Sequence, residues 1–130
     1  LLIPSLCFGK SLKITAILQH DQTFTLDFFD STDVPNGTLS FSTKKRYIEW
    51  NEKNDFDTVY RMILLHFPKD FSKTFKKYGI TKNKPTFVLL FQNLIMDLAI
   101  LNNYQVTFTD TELNDSGFYT FTVFLYKQDK

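Results

Sequence analysis

At 130 residues, 43% hydrophobic and 22% charged, the chain is long enough for one domain with a real core and too short for two. Fifteen Phe against four Gly and four Pro exclude a disordered or collagen-like polymer. A formal charge of +1 gives no global field to gather nucleic acid or an anionic membrane, and a single cysteine, Cys7, cannot build an intrachain disulfide or a Cys-rich zinc site.

Leu1 to Gly9 form an apolar stretch with small residues, Cys7 and Gly9, at the two positions a signal peptidase inspects, and read as a signal-peptide remnant. Residues 10–130 then form a single domain, extracellular by this reading, either secreted or the ectodomain of a membrane protein. Asn36-Gly37-Thr38 and Asn114-Asp115-Ser116 are N-glycosylation acceptors that fit such a route. No later run reaches the roughly 18 apolar residues of a membrane span; Thr86 to Leu101 is interrupted by Gln92, Asn93 and Asp97.

Two alternating segments follow the leader, Lys10 to Gln19 with Leu12, Ile14, Ala16 and Leu18, and Thr23 to Phe29 with Phe24, Leu26 and Phe28. Both predict strands. Asp30 to Gly37 carries the Asp, Ser, Pro, Asn and Gly of a loop. Lys44 to Asn51 alternates again, and Val59 to His66 is β-like after a polar break. Phe67, Phe71, Phe75 and Tyr78 change to helical spacing, which predicts a short helix over 69–78 closed by Gly79. Thr86 to Phe91 reads as a buried strand, and Leu94 to Leu101 suits either strand or helix. Tyr104 to Thr109 and Gly117 to Tyr126 alternate on either side of a polar corner. Many short strands predict an all-β domain, a sandwich or barrel with one short helix.

The segment Val106 to Tyr119, with Leu113 leading into Asp115-Ser116-Gly117-Phe118-Tyr119, resembles the corner between the E and F strands of immunoglobulin-superfamily domains. The resemblance implies an immunoglobulin-like antiparallel β-sandwich of the variable kind, most similar to the cysteine-free, membrane-distal domains of lymphocyte adhesion receptors of the signalling-lymphocyte-activation kind. In that frame Leu113 plugs the core, Asp115 pairs across the base, Gly117 permits re-entry and Tyr119 makes the tyrosine corner. The family's two inter-sheet cysteines fall at Phe28 and Phe121, and Trp50 packs over them. The chain stops where a final strand would begin, which implies that this strand lies outside the sequence or that the free edge promotes dimerisation.

Chemistry is sparse. His20 and His66 are isolated, no phosphate-cradling glycine motif or nucleophile elbow occurs, and Asp110, Glu112 and Asp115 read as turn formers. Lys69, Lys73, Lys76, Lys77, Lys82 and Lys84 read as a solvated helix face, because Phe71, Phe75 and Tyr78 share the face that the core claims and leave no platform for stacked bases. The expectation is therefore a non-enzymatic module without cofactor, metal or nucleic acid, which binds another protein, a cell-surface immunoglobulin-like receptor or a second copy of itself. The resemblance places the contact on a flat sheet face containing Tyr47, Glu49, Thr120, Thr122, Phe124 and Tyr126. Two other classes stay open: a small secreted enzyme, which needs a pocket of convergent titratable groups, and a cytosolic α+β interaction domain, in which Leu94 to Leu101 is helical and Phe28 lies far from Phe121.

Overall fold

The computed structural model describes residues 11–19, 22–45, 47–52, 57–78 and 86–128. The expected leader Leu1 to Gly9, with His20, the helix-closing Gly79, Lys82 and Lys84, lies outside them. Four strands come first: β1 (Ser11–Leu18), β2 (Thr23–Phe29), β3 (Pro35–Ser42) and β4 (Ile48–Glu52). Two helices follow, α1 (Thr58–Tyr78) and α2 (Thr86–Leu101), then β5 (Tyr104–Phe108), β6 (Glu112–Leu113) and β7 (Tyr119–Lys127). All seven described strands join one sheet in the order β4-β3-β2-β1-β7-β5, with β6 also paired to β7, and each pairing is antiparallel.

The alternation read from the sequence sets the faces. Leu12, Ile14, Ala16 and Leu18 of β1, Phe24, Leu26 and Phe28 of β2, Leu39 and Phe41 of β3, and Phe121, Val123 and Leu125 of β7 are buried. Polar residues between them point the other way, as the period of two requires. An antiparallel sheet with one apolar face needs a single cover, and here the helices supply it. The mostly antiparallel β expectation holds, but the layer opposite this face is helical where a sandwich has a second sheet.

Four segments correct the sequence reading. Val59 to His66, read as a strand, is the first half of α1, so the helix expected at 69–78 begins eleven residues earlier, at Thr58. Pro68 between the halves looks like a break in the sequence, yet it lies buried inside the helix. Asp57 starts this helix by accepting from the Val59 amide at 3.3 Å, and Val59, Ile63, Phe67, Phe71 and Phe75 then recur at four-residue steps on the buried side. Thr86 to Phe91, read as a strand, and Leu94 to Leu101, left open, are one helix. Its composition is apolar nearly all round, which erases the helical period. The loop read at Asp30 to Gly37 is shorter: the chain turns at Asp30 to Val34 and re-enters the sheet at Pro35. Asp30 Oδ1 holds that turn by accepting from Thr32 N, Thr32 Oγ1 and Val34 N at 2.8–3.0 Å, and the Val34 and Thr32 bonds hold its carboxyl below the usual value.

The resembled corner has a different job. Leu113 pairs with Tyr119, and Asn114 to Phe118 make a tight hairpin between β6 and β7 within the same sheet. Asn114 Oδ1 accepts from Ser116 N at 2.9 Å and Phe118 N at 3.0 Å, while Gly117 takes φ 80°, the left-handed position of a three-residue hairpin loop with a bulge. Leu113 is 62% exposed and does not plug the core, Asp115 is exposed in the turn, and the Tyr119 ring packs edge-on against Phe87 at 5.5 Å. Phe28 and Phe121 do not bridge two sheets. They share one face of one sheet, opposite Ile14 and Ala16 on the intervening β1. Trp50 meets Phe28 at 5.9 Å, but its strand is four steps from that of Phe121, roughly 19 Å at ordinary strand spacing.

The core between the layers is aromatic and centres on Phe91 of α2. Its ring lies 4.5 Å from Phe67 and 5.1 Å from Phe71 of α1, 5.8 Å from Phe24, 6.4 Å from Phe41 and 6.0 Å from Phe121 of the sheet. The pairs with Phe67, Phe71 and Phe121 are edge-to-face, an arrangement that adds to simple burial. Phe91→Ala should therefore cost about 3–5 kcal/mol in chemical denaturation; a loss below about 1 kcal/mol contradicts the packing.

A second tie joins α1 to the sheet. The buried Tyr60 hydroxyl lies 2.8 Å from both the Lys13 and Phe29 carbonyls, where β1 and β2 pair. Burial pushes its phenol above the ordinary value, and its carbonyl acceptors have nothing to offer a phenolate. Tyr104 is also buried, and burial raises its phenol too, followed by the hydrogen bond toward Asp57 and the charge of that carboxylate. Such phenols keep their protons when folded and lose them near pH 10 when unfolded, so stability is intact below about pH 10 and falls as pH rises beyond it. Each contributes a slope of up to about 1.4 kcal/mol per pH unit. Tyr60→Phe should lower stability by about 1 kcal/mol at neutral pH, yet flatten the alkaline limb of a pH–stability profile; an unchanged limb contradicts the assignment.

Candidate binding face

The helices close one side of the sheet, and the other side carries the candidate site. Register places its residues in rows across the strands. One row runs Thr122, Thr15, Asp27, Thr38 and Asn51; the next runs Thr120, Ile17, Thr25, Ser40 and Glu49. A third holds Thr107, Phe124, Lys13 and Phe29, and a fourth Gln105, Tyr126 and Ser11.

Of the residues expected to meet a partner, Thr120, Thr122, Phe124, Tyr126 and Glu49 therefore share this face. Thr120, Thr122, Phe124 and Tyr126 alternate along β7 with buried Phe121, Val123 and Leu125 and are themselves half-buried among their neighbours. Glu49 is in the same row as Thr120 but four strands away, so it extends the face to the opposite edge and does not touch β7. Tyr47 is exposed in the turn before β4, its carbonyl accepting from Ser42 N at 3.1 Å.

The face has two chemistries. Its middle is rich in hydroxyls, held in fixed positions by Thr38 Oγ1 donating to Asp27 Oδ1 at 2.9 Å and by a 3.3 Å contact between Thr25 Oγ1 and Ser40 Oγ. One end is aromatic: Phe29 and Phe124 flank Lys13 on the neighbouring strands, with Tyr126 in the next row, and Lys13 Nζ lies 4.5 Å over the Phe29 ring and 2.7 Å from Asp33. At the other end Thr109 and Asp110, between β5 and β6, rise beside the sheet and with Glu112, Thr15, Ile17 and Thr122 line an open trough of about 600 Å³. Lys13, Thr15, Thr25, Phe29, Thr38 and Ser40 were not among the expected contacts. The same alternation that placed Thr122 would have found those of β1 and β2, whereas Thr38 and Ser40 were lost with β3.

The other sequence candidates do not converge. His66 stands exposed on α1, and Lys69, Lys73, Lys76 and Lys77 are exposed along it, as is Tyr78 at its last position, which the sequence reading had assigned to the core side. Among the described residues no group of three or more His, Cys, Asp or Glu is placed to hold a metal ion, and no helix is long and apolar enough to cross a membrane. Scans of the chain against protein-family models, curated proteins and solved structures gave no match.

The two glycosylation acceptors differ sharply. Asn36 is only 6% exposed, in an irregularity where Phe28 pairs with Gly37 but Phe29 pairs with Pro35, and its Oδ1 is buried without a partner. Asn114 is exposed at the hairpin tip. In a glycosylating secretory host, any glycosidase-sensitive mass on the folded protein should disappear in Asn114→Gln and persist in Asn36→Gln; the reverse pattern contradicts the burial of Asn36.

Proposed function

We propose that this domain is a non-covalent recognition module that binds another protein through the open face of its sheet. The observation that carries the reading is the division of the two faces: one is closed by helices, and the other presents ordered hydroxyls beside a cluster of Phe29, Phe124 and Tyr126. Aromatic rings on an exposed face suit an interface core, in which large rings are desolvated at small entropic cost, with the charged and hydroxyl groups around them as its polar surround. Hydroxyl rows bounded by β-branched side chains also form a firm surface, so little ordering is needed on contact.

Helical Leu94 to Leu101 supports an α+β interaction domain over a two-sheet sandwich. The immunoglobulin-superfamily resemblance contributes to this proposal as a precedent for recognition by an open sheet face. An extracellular setting is part of the proposal too, on the strength of the apolar Leu1 to Gly9 segment and the accessible acceptor at Asn114.

A pairwise screen of a multimerised, labelled form of this chain against cell-surface ectodomains, itself included, tests the reading. Binding should fall at least tenfold in Thr122→Arg and in Phe124→Arg while thermal unfolding moves little, and Lys73→Glu on the helical side should be silent. Binding that ignores both face variants, or the absence of any binder, contradicts the proposal.

A further inference from the structure

The two edges of the sheet are built differently. At one edge β5 and β6 are separated by Thr109 to Thr111, and α2 packs alongside β5. At the other, β4 is the last described strand, so the outer side of its backbone meets no further strand among the described residues. Natural sheets usually protect such an edge with inward-pointing charge, proline or a bulge. The inward positions of β4 are instead Ile48 and Trp50, which face the helical layer opposite Phe41 and Leu39.

α1 runs antiparallel to this edge. Tyr60 packs near the Glu52 end, on Phe28, whose partner Gly37 pairs with Glu52; Phe67 packs near the Ile48 end, on Phe41. Between the helix and the strand lies an open apolar trough of about 290 Å³ lined by Leu39, Ile48, Trp50, Arg61, Leu64 and Leu65. Ile48 is 63% and Leu65 71% exposed, and both border this one trough. The trough also has a basic end. Lys44 and Lys45 are exposed in the turn leading to Ile48, and Lys69 lies one helical turn beyond Leu65 on the same side of α1. Glu49 points to the opposite face of the sheet, and Asp70 lies around the helix from Lys69.

We propose that the β4 edge and the Leu65 ridge of α1 receive an extended, acidic and apolar peptide segment of a partner protein, which adds to the sheet as a further strand. The backbone of β4 supplies the ladder, and alternate side chains of the guest fall on Ile48 and Trp50 because a strand's period is two. Carboxylates of the guest meet Lys44, Lys45 and Lys69 at the Ile48 end, where opposite charge speeds encounter. This surface is separate from the sheet face proposed above, so its failure leaves that reading standing.

Panning a display library of random eight-residue peptides against the full chain tests the inference. The expected consensus alternates apolar residues with Asp or Glu. A synthetic peptide of that consensus should shift the amide resonances of Ile48 to Glu52 and of Leu64 and Leu65. Its affinity should drop at least tenfold in Leu65→Glu, an exposed position where folding is retained, and several-fold in Lys69→Glu or at raised salt, with no change in Thr122→Arg. Circular dichroism and thermal unfolding of Leu65→Glu separate a lost site from a lost fold, and Lys69→Glu gives an independent reading should that variant unfold. No enriched peptide, a consensus without acids, or shifts confined to other strands would overturn the proposal.

Discussion

The structure depends on one contact layer, the aromatic seam in which Phe91 meets Phe67 and Phe71 of the neighbouring helix and Phe24, Phe41 and Phe121 of the sheet. Helices in proteins take most of their stability from packing an apolar side against the rest of the molecule, and both helices find that partner here. The sheet, for its part, has one apolar face that requires cover. The seam satisfies both needs at once. Because rings from four elements converge on Phe91, the order of the strands and the position of the helices are specified together.

Closing one face fixes the character of the other. From Leu12 to Leu18, Phe24 to Phe28 and Tyr119 to Leu125 the side chains that turn inward are apolar or aromatic, and their neighbours turn outward with hydroxyls, a few charges and a few rings. The outer face is thus the complement of the core, and its composition follows from the alternation that builds the seam. The aromatic end of the face adds to this. Phe29, Phe124 and Tyr126 occupy outward positions where the core has no claim on them, and Lys13 is held over Phe29 by both the ring and Asp33.

Much of the sheet was legible from the chain. The alternation at Leu12 to Leu18, Phe24 to Phe28 and Phe121 to Leu125 predicts which residues are buried, and the structure agrees because a period of two admits only one choice once a face is chosen. Three things hid the rest. The β-like run Val59 to His66 disguised the first half of a continuous helix as a strand. The uniform apolarity of Thr86 to Leu101 carried no period by which to tell helix from strand. Pro35, Asn36 and Gly37 looked like loop chemistry, although Thr38-Leu39-Ser40-Phe41-Ser42 immediately after them alternates as clearly as any strand here. The Asp115-Ser116-Gly117 motif was a sound sign of a sharp reversal, since Gly117 does take a positive φ. What it could not convey was whether the chain returns to the same sheet or crosses to another. Of the candidate site, the β7 contacts were visible in the pattern, whereas the contributions of β3 depended on pairing partners distant in sequence.

The account stands on the claim that the helices cover one face of the sheet and leave the other open. Nuclear magnetic relaxation by a soluble gadolinium chelate measures this directly on methyl- and ring-labelled protein. The methyl groups of Thr15, Thr25 and Thr122 should be strongly relaxed while the rings of Phe24, Phe91 and Phe121 are spared. Protection of those threonine methyls to the level of the core rings would mean that a second layer covers the face, and would contradict both the architecture and the binding role drawn from it.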